Sequence, residues 1–255
     1  MRIVITGAAG MIGREIVEEL SGHHELCLID RVPVPGKQSI VANLARTSAT
    51  KGWRSWIRFK KPRWEDLFAE TAVVLHLAAE ICDYLPWWQV FPDNVQATWN
   101  VIEAAAQHGV KRVVFASSNW AVKSLELALA PNCYLPDGPK IGSDASPRPL
   151  TPYGVSKTLG EVTGRMFVDD HRLASFIAVR IGSYHLAVPQ NERDRRLWIG
   201  PQDLRSLLRR CVEAEVEGFH VVYGVSAQPT APYDLSYTRQ LLSWEPQQTF
   251  VTSQE

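Results

Sequence analysis

Three observations predict an α/β fold, a doubly wound parallel sheet covered by helices on both faces. The chain opens on an apolar strand that turns through glycines into a helix, Ile3-Val4-Ile5-Thr6-Gly7-Ala8-Ala9-Gly10-Met11-Ile12-Gly13. Ile12, Ile16, Val17 and Leu20 then recur at helical spacing on one face. Strand-like and helix-like segments alternate along the remainder of the chain, the pattern of crossover-connected parallel strands. At 255 residues the chain suits a single domain over 1–255. Within it, roughly 1–175 is expected to hold a ligand and roughly 176–255 to form a small C-terminal substrate-binding extension.

Composition excludes several classes. Lys+Arg 27 against Asp+Glu 27 leaves no net charge, so neither nucleic acid nor an anionic membrane surface is an expected partner. No apolar run reaches the roughly 18 residues a membrane span requires, and the first strand begins at once, without the form of a signal peptide. Cys27, Cys82, Cys133 and Cys211 are scattered, and the seven histidines form no ligand spacing. Reduced thiols in a cytoplasmic protein without a metal are therefore expected.

The elements are taken in chain order. In the opening turn, Gly7 and Gly10 let the backbone turn tightly and approach a pyrophosphate, and Gly13 lets helix and strand pack closely. The amides at the helix start and the helix dipole then face an anion. Gly7, Ala9, Gly10, Met11, Ile12 and Gly13 are thus cofactor candidates in a Rossmann-type sheet. The second strand, Glu25-Leu26-Cys27-Leu28-Ile29, ends in Asp30, whose carboxylate suits ribose hydroxyls and repels a 2′-phosphate. That favours NAD over NADP, although Arg31 could instead pair with a phosphate. Ser39-Ile40-Val41-Ala42 reads as the third strand, with Asn43 and Leu44 at its tip near the adenine. Trp53, Trp56, Phe59 and Trp64 lie among Lys and Arg in a loop with a helix from Trp64. Such interleaving can bind single strands, but here the aromatics are expected to tack the helix onto the sheet.

Ala72-Val73-Val74-Leu75-His76-Leu77-Ala78-Ala79 reads as a buried strand. Its small carboxyl end, Leu77, Ala78 and Ala79, would lie near the nicotinamide half of the cofactor. His76, inside an apolar strand, reads as a hydrogen-bonded core residue. A helix from Pro92 or Asp93 to His108, closed by Gly109, places Asn94 in its first turn, where it would brace the next strand. That strand, Lys111-Arg112-Val113-Val114-Phe115-Ala116, delivers Ser117, Ser118, Asn119 and Trp120 to the crevice. A polar, proline-rich loop runs to Pro149. Thr151 then caps a helix with Pro152 at its first position.

That helix carries Tyr153 and Lys157, which share a face at i and i+4. An adjacent ammonium is expected to lower the phenol from its usual value of about 10, making Tyr153 a base. Ser118 would hydrogen-bond the substrate oxygen, an arrangement suited to hydride transfer at a nicotinamide. Further on, Phe176-Ile177-Ala178-Val179-Arg180 is a strand, and Ile181, Gly182, Ser183 and Tyr184 should line the crevice. Arg193, Arg195 and Arg196 form either a solvated run or an anion clamp. A helix over Pro201 to Glu217, a strand Phe219-His220-Val221-Val222-Tyr223-Gly224 and a short helix from Asp234-Leu235-Ser236 complete the chain.

Thr6 to Gly13, His76-Leu77-Ala78-Ala79, Ser117-Ser118 and Tyr153-Gly154-Val155-Ser156-Lys157 together resemble the extended, epimerase/dehydratase-like branch of the short-chain dehydrogenase/reductases. The resemblance implies Ser118, Tyr153 and Lys157 as catalytic triad, Lys157 also holding the nicotinamide ribose, and a homodimer through helices flanking the sheet. Within the branch, Phe115-Ala116-Ser117-Ser118-Asn119, Val179-Arg180-Ile181-Gly182-Ser183, Leu197-Trp198-Ile199 and Val222-Tyr223-Gly224-Val225-Ser226 look like uronate dehydrogenases. These oxidise C1 of a hexuronic acid to a lactone with NAD. By that likeness Asn94 and Ile181 join the cofactor contacts, while Met11, Ser118, Asn119, Trp120, Tyr153, Ser183 and Arg193 face the substrate, Arg193 gripping its carboxylate. Trp120 and Met11 replace a histidine and a glutamine of that family, and the loop between Ser118 and Tyr153 is longer, so a plain hexuronate is not expected. The implied reaction is NAD-dependent oxidation of a small, acidic sugar at C1. The alternative is a nucleotide-sugar epimerase or dehydratase with tightly held NAD. Only 98 residues follow Lys157, fewer than such enzymes use to hold a nucleotide.

Overall fold

The computed structural model describes residues 1–47 and 63–249. In chain order the elements are β1 (Arg2–Thr6), α1 (Met11–Leu20), β2 (Glu25–Asp30), β3 (Ile40–Val41), β4 (Val73–His76), α2 (Trp87–Val90), α3 (Ala97–Gln107), β5 (Arg112–Ser118) and α4 (Lys123–Leu129). They continue with α5 (Pro152–Asp169), β6 (Ser175–Ile181), β7 (Ser183–Tyr184), α6 (Glu192–Arg196), β8 (Trp198–Ile199), α7 (Pro201–Glu213), β9 (Gly218–Gly224) and α8 (Ser236–Leu242).

Seven strands pair in the order β3-β2-β1-β4-β5-β6-β9, every pair parallel. The Rossmann-type expectation holds. The order reverses between β1 and β4, so the carboxyl ends of those two strands open a crevice where a ligand can sit. The strands are apolar on both faces because each face is covered. One side buries Ile3, Ile5, Ile16, Val17, Leu20, Leu204, Leu207 and Leu208 between the sheet and α1 and α7. The other buries Val4, Val74, Val101, Ile102, Phe115, Phe167 and Phe176 beneath α3 and α5.

Helix α5 sets the position of the chemistry. The Thr151 hydroxyl accepts a hydrogen bond from the Gly154 amide at 3.1 Å, and Pro152 occupies the first turn, as expected. Two of the three glycines in α5, Gly160 and Gly164, lie in its interior, where each would weaken an isolated helix by roughly 1 kcal/mol. They are explained by packing, because a Cβ at Gly160 or Gly164 would stand 2.4 Å from the ring of Phe115 or Phe176. The helix therefore lies directly on β5 and β6.

Several elements differ from expectation. The third strand shrinks to Ile40–Val41. The helix expected from Trp64 is a five-residue 3-10 turn, Trp64–Phe68, tied down by the Trp64 indole donating to the Arg46 carbonyl at 3.1 Å. Trp53, Trp56 and Phe59 lie outside the described residues. The helix assigned to Pro92 begins earlier, at Trp87, and passes through a widened π turn over Phe91–Gln96. Pro92 has no N–H for a regular ladder, so its presence marked a local irregularity rather than a start. Gly109, at φ 68°, does close α3. The loop after Ser118 is not all loop, because it contains α4. Helix α7 stops at Glu213, short of Glu217. The C-terminal residues contribute β9 to the main sheet, and β7 with β8 forms a separate two-stranded ribbon.

Candidate active site

One cavity of about 720 Å³ runs along the carboxyl ends of the central strands. At one end it is lined by the turn after β1. Gly7 has φ +72°, and a Cβ there would fall 2.6 Å from the Ala78 amide nitrogen. A Cβ at Gly13 would fall 2.1 Å from the Gly7 carbonyl oxygen, so α1 can approach β1 only because that position is glycine. No side chain caps the start of α1 and its first turn carries no acid, which leaves amides and the positive dipole end for an anion. Asp30 sits where β2 ends, accepting from the Ala9 amide at 2.9 Å and from the Val32 amide at 3.2 Å. Its partners hold the carboxylate at the rim of the glycine turn. Arg31, the residue that could have read a 2′-phosphate, instead pairs with Asp93 at 2.9 Å. Turn, uncapped helix start and carboxylate together fit a dinucleotide with free ribose hydroxyls.

At the other end lie Ser118, Tyr153 and Lys157, all nearly inaccessible to solvent. Ser118, last in β5, donates to the Asn119 side-chain oxygen at 3.1 Å and accepts from the Trp120 amide at 3.2 Å. Lys157 donates to the Ala116 carbonyl at 2.7 Å and lies 5.6 Å from the centre of the Tyr153 ring. Burial lowers the Lys157 ammonium to about 7. Burial also pushes the Tyr153 phenol up to about 12, with Ser118 pulling it down and the Asp83 carboxylate pushing it up. The expectation that Lys157 lowers the tyrosine is thus corrected for the free protein. Desolvation dominates both groups, and the lysine's nearest hydrogen-bond partner is a backbone carbonyl rather than the phenol.

His76 is the core residue expected of it. Its Nδ1 lies 2.6 Å from the Thr6 hydroxyl and its Nε2 2.9 Å from that of Thr98, and burial lowers it to about 3, leaving it neutral.

Arg193 lines the cavity and stacks over Trp120, 5.7 Å from the ring centre. It does not present an open fork. Its Nε donates to Glu126 Oε1 at 2.8 Å and its Nη2 to Oε2 at 2.9 Å. Glu126 is fully buried and also accepts from Lys123, Tyr134 and Tyr233. Arg196, the last residue of α6, pairs with Glu192 and covers the Tyr134 ring outside the cavity lining.

Residues 3–199 match the family model described as the NAD dependent epimerase/dehydratase family. The chain belongs to that family. The chain is 30% identical to the NAD-dependent glucose-6-phosphate dehydrogenase of Haloferax volcanii, over 96% of this chain and 92% of that one. The L-arabinose 1-dehydrogenase (NAD(P)(+)) of the same organism is 29% identical over 98% of each. The crystal structure of uronate dehydrogenase from Agrobacterium tumefaciens superposes with a TM-score of 0.78 at 31% identity, covering 97% of this chain and 85% of that one. This member of the epimerase/dehydratase family is accordingly an NAD-dependent oxidoreductase acting on a CH–OH group.

Of the positions expected to touch cofactor or substrate, all but Asn94 line this cavity. Asn94 is buried below it. Its side chain exchanges hydrogen bonds with both backbone groups of Glu80, at 2.7 and 2.8 Å, and donates to Ser156 at 3.0 Å. It braces the loop after β4 and the second turn of α5, not the next strand. The sequence reading missed Asp83, His185 and Asp194 in the cavity wall, and Glu126 and Lys123 behind it. A signal for the last two existed. Lys123 and Glu126 stand at i and i+3 in Lys123-Ser124-Leu125-Glu126-Leu127, a helical pairing within an apolar run.

Proposed function

We propose that this chain oxidises the C1 hydroxyl of a small free aldose to the aldonolactone, with NAD as acceptor. The observation that carries this reading is the convergence of Ser118, Tyr153 and Lys157 on one end of a cavity whose other end is the glycine turn and Asp30. Support for C1 comes from a relative covering nearly the whole chain that is named as a 1-dehydrogenase of a free sugar. Bound at the glycine turn, NAD supplies the hydride acceptor.

The chain's own residues then act on the sugar. Ser118 hydrogen-bonds the C1 oxygen and orients it. Acting as the phenolate, Tyr153 Oη takes the hydroxyl proton as the C1 hydrogen leaves with its electron pair to NAD, so the C1–O bond becomes the lactone carbonyl. Lys157 stands 5.6 Å from the centre of the Tyr153 ring, and its ammonium, when charged, favours the phenolate over the phenol. Burial of all three residues keeps water from competing for the same hydrogen bonds.

Incubating the purified protein with NAD and a panel of aldopentoses, aldohexoses and uronates should give NADH, with the lactone visible by NMR. Absence of NADH with every sugar refutes the reading. So does a protein that retains NAD through purification and interconverts nucleotide sugars with no net NADH.

A further inference from the structure

The arginine best placed to grip an acidic sugar has its Nε–Nη2 edge occupied from within. Glu126 meets that edge in the two-point geometry by which an arginine holds a carboxylate. The glutamate is fully buried, fixed from below by Lys123 at 3.2 Å and Tyr134 at 2.7 Å. What Arg193 still offers the cavity is Nη1, which lies 3.8 Å from Asp194 Oδ1. A single donor beside a carboxylate suits a sugar hydroxyl, which can accept from one and donate to the other. The surrounding charge points the same way. Asp83 and Asp194 both line the cavity, and burial raises the Asp83 carboxyl, with Arg193 pulling it down and the Asp194 carboxylate pushing it up. With Glu126 they set three carboxylates against the two cations Arg193 and Lys123, which stand at 5.7 and 5.8 Å over the Trp120 ring.

Building on the dehydrogenase reading above, we propose that Glu126 is a specificity-determining residue. By holding Arg193 it takes the place a sugar carboxylate would fill, and with Asp83 and Asp194 it makes the pocket select uncharged aldoses over uronates. It acts through Arg193 rather than on the reacting carbon, so it is a positioning residue. An entering carboxylate would have to displace a buried, four-partnered glutamate, whose release from a charged hydrogen-bond network is costly.

The test is steady-state kinetics with NAD on matched sugars that differ only in a terminal carboxylate, glucose with glucuronate and galactose with galacturonate. The wild-type enzyme should favour the uncharged member by at least about tenfold in kcat/KM, the effect of roughly 1.4 kcal/mol. Glu126→Gln keeps the side-chain shape but removes its charge and one of the two acceptors that hold the guanidinium, so KM for the uronate should fall and the uronate-to-aldose ratio rise about tenfold. Asp83→Asn removes a half-buried carboxylate without touching the buried network, and should raise the same ratio severalfold. It keeps the proposal testable where the Glu126 variant fails to fold. Preference of the wild type for the uronate overturns the proposal while leaving the dehydrogenase reading intact. A ratio unchanged in both variants does the same. No NADH from any sugar overturns the dehydrogenase reading, and this assignment with it.

Discussion

Replacing Lys157 by methionine should abolish turnover and make the protein more stable at neutral pH. The ammonium is fully buried, donates one hydrogen bond to the Ala116 carbonyl and has no acidic partner among its hydrogen bonds. Its native value of about 7 lies well below the 10.5 it starts from. Between these limits the unfolded chain binds the proton that the native chain sheds, so this residue's contribution to stability rises with pH across that window and falls as the solution is acidified. At roughly 1.4 kcal/mol per unit, the shift corresponds to about 5 kcal/mol of destabilisation at and below neutrality, an upper bound. Methionine is similar in volume and carries no charge, but leaves the Ala116 carbonyl without its donor, which costs about 1–3 kcal/mol. The variant should therefore gain about 2–4 kcal/mol at pH 6, and the gain should shrink by about 3 kcal/mol by pH 9.5. Urea denaturation of the two NAD-free proteins at pH 6, 8 and 9.5 reads this directly, since all other titrating groups cancel in the difference. A stability difference that stays constant across the range would falsify the reasoning that a buried ammonium is stored at this site.

Three further outcomes are expected from the geometry. Tyr153→Phe should lower kcat by about 10²–10⁴-fold, the usual worth of a positioned base, while NAD binding measured by fluorescence titration stays within a few-fold. Asp30→Ala removes the charged acceptor at the end of β2 and should weaken NAD by about 10–100-fold, the equivalent of a hydrogen bond to a charged group; an unchanged Kd would place the ribose elsewhere. Glu161 holds Arg180 by two 2.9 Å hydrogen bonds in the core and accepts from Ser117 at 2.6 Å. Glu161→Ala strands that guanidinium and should cost about 3–5 kcal/mol in urea denaturation, and a loss under about 1 kcal/mol would show that Tyr223 and the Ala145 carbonyl suffice to hold it.

What was legible in the sequence was what short-range rules encode. The turn was readable because only glycine fits at Gly7 and Gly13, where a Cβ would strike backbone at 2.6 and 2.1 Å. The Thr151 cap, Pro152 and the Tyr153–Lys157 pair were readable because helix start chemistry and i, i+4 spacing are local. Asp30 and Ser118 were readable as the last residues of apolar strands, and parallel sheets put ligands at those ends. Legibility failed where a local signal was ambiguous. Pro92 could start a helix or interrupt one, and the sequence alone had no basis to choose the second. The polar, proline-rich character of the stretch running to Pro149 masked α4, whose seven residues are too few for a helical period to stand out.

By itself, then, the sequence determined the parallel sheet, the glycine turn at one end of the cavity and the candidates Ser118, Tyr153 and Lys157 that meet at the other. Each is encoded by spacing along one element. Only the tertiary structure decided the states of those residues and what Arg193 grips. Burial pushes Tyr153 up to about 12 and Lys157 down to about 7, and that burial comes from the packing of α5 against the sheet, which no single residue type reports. The partner of Arg193 is Glu126, 67 residues earlier and on a helix the sequence hid. Such a pairing depends on two elements meeting in space, and charges at that separation in sequence carry no mark of whether they will face each other or the substrate.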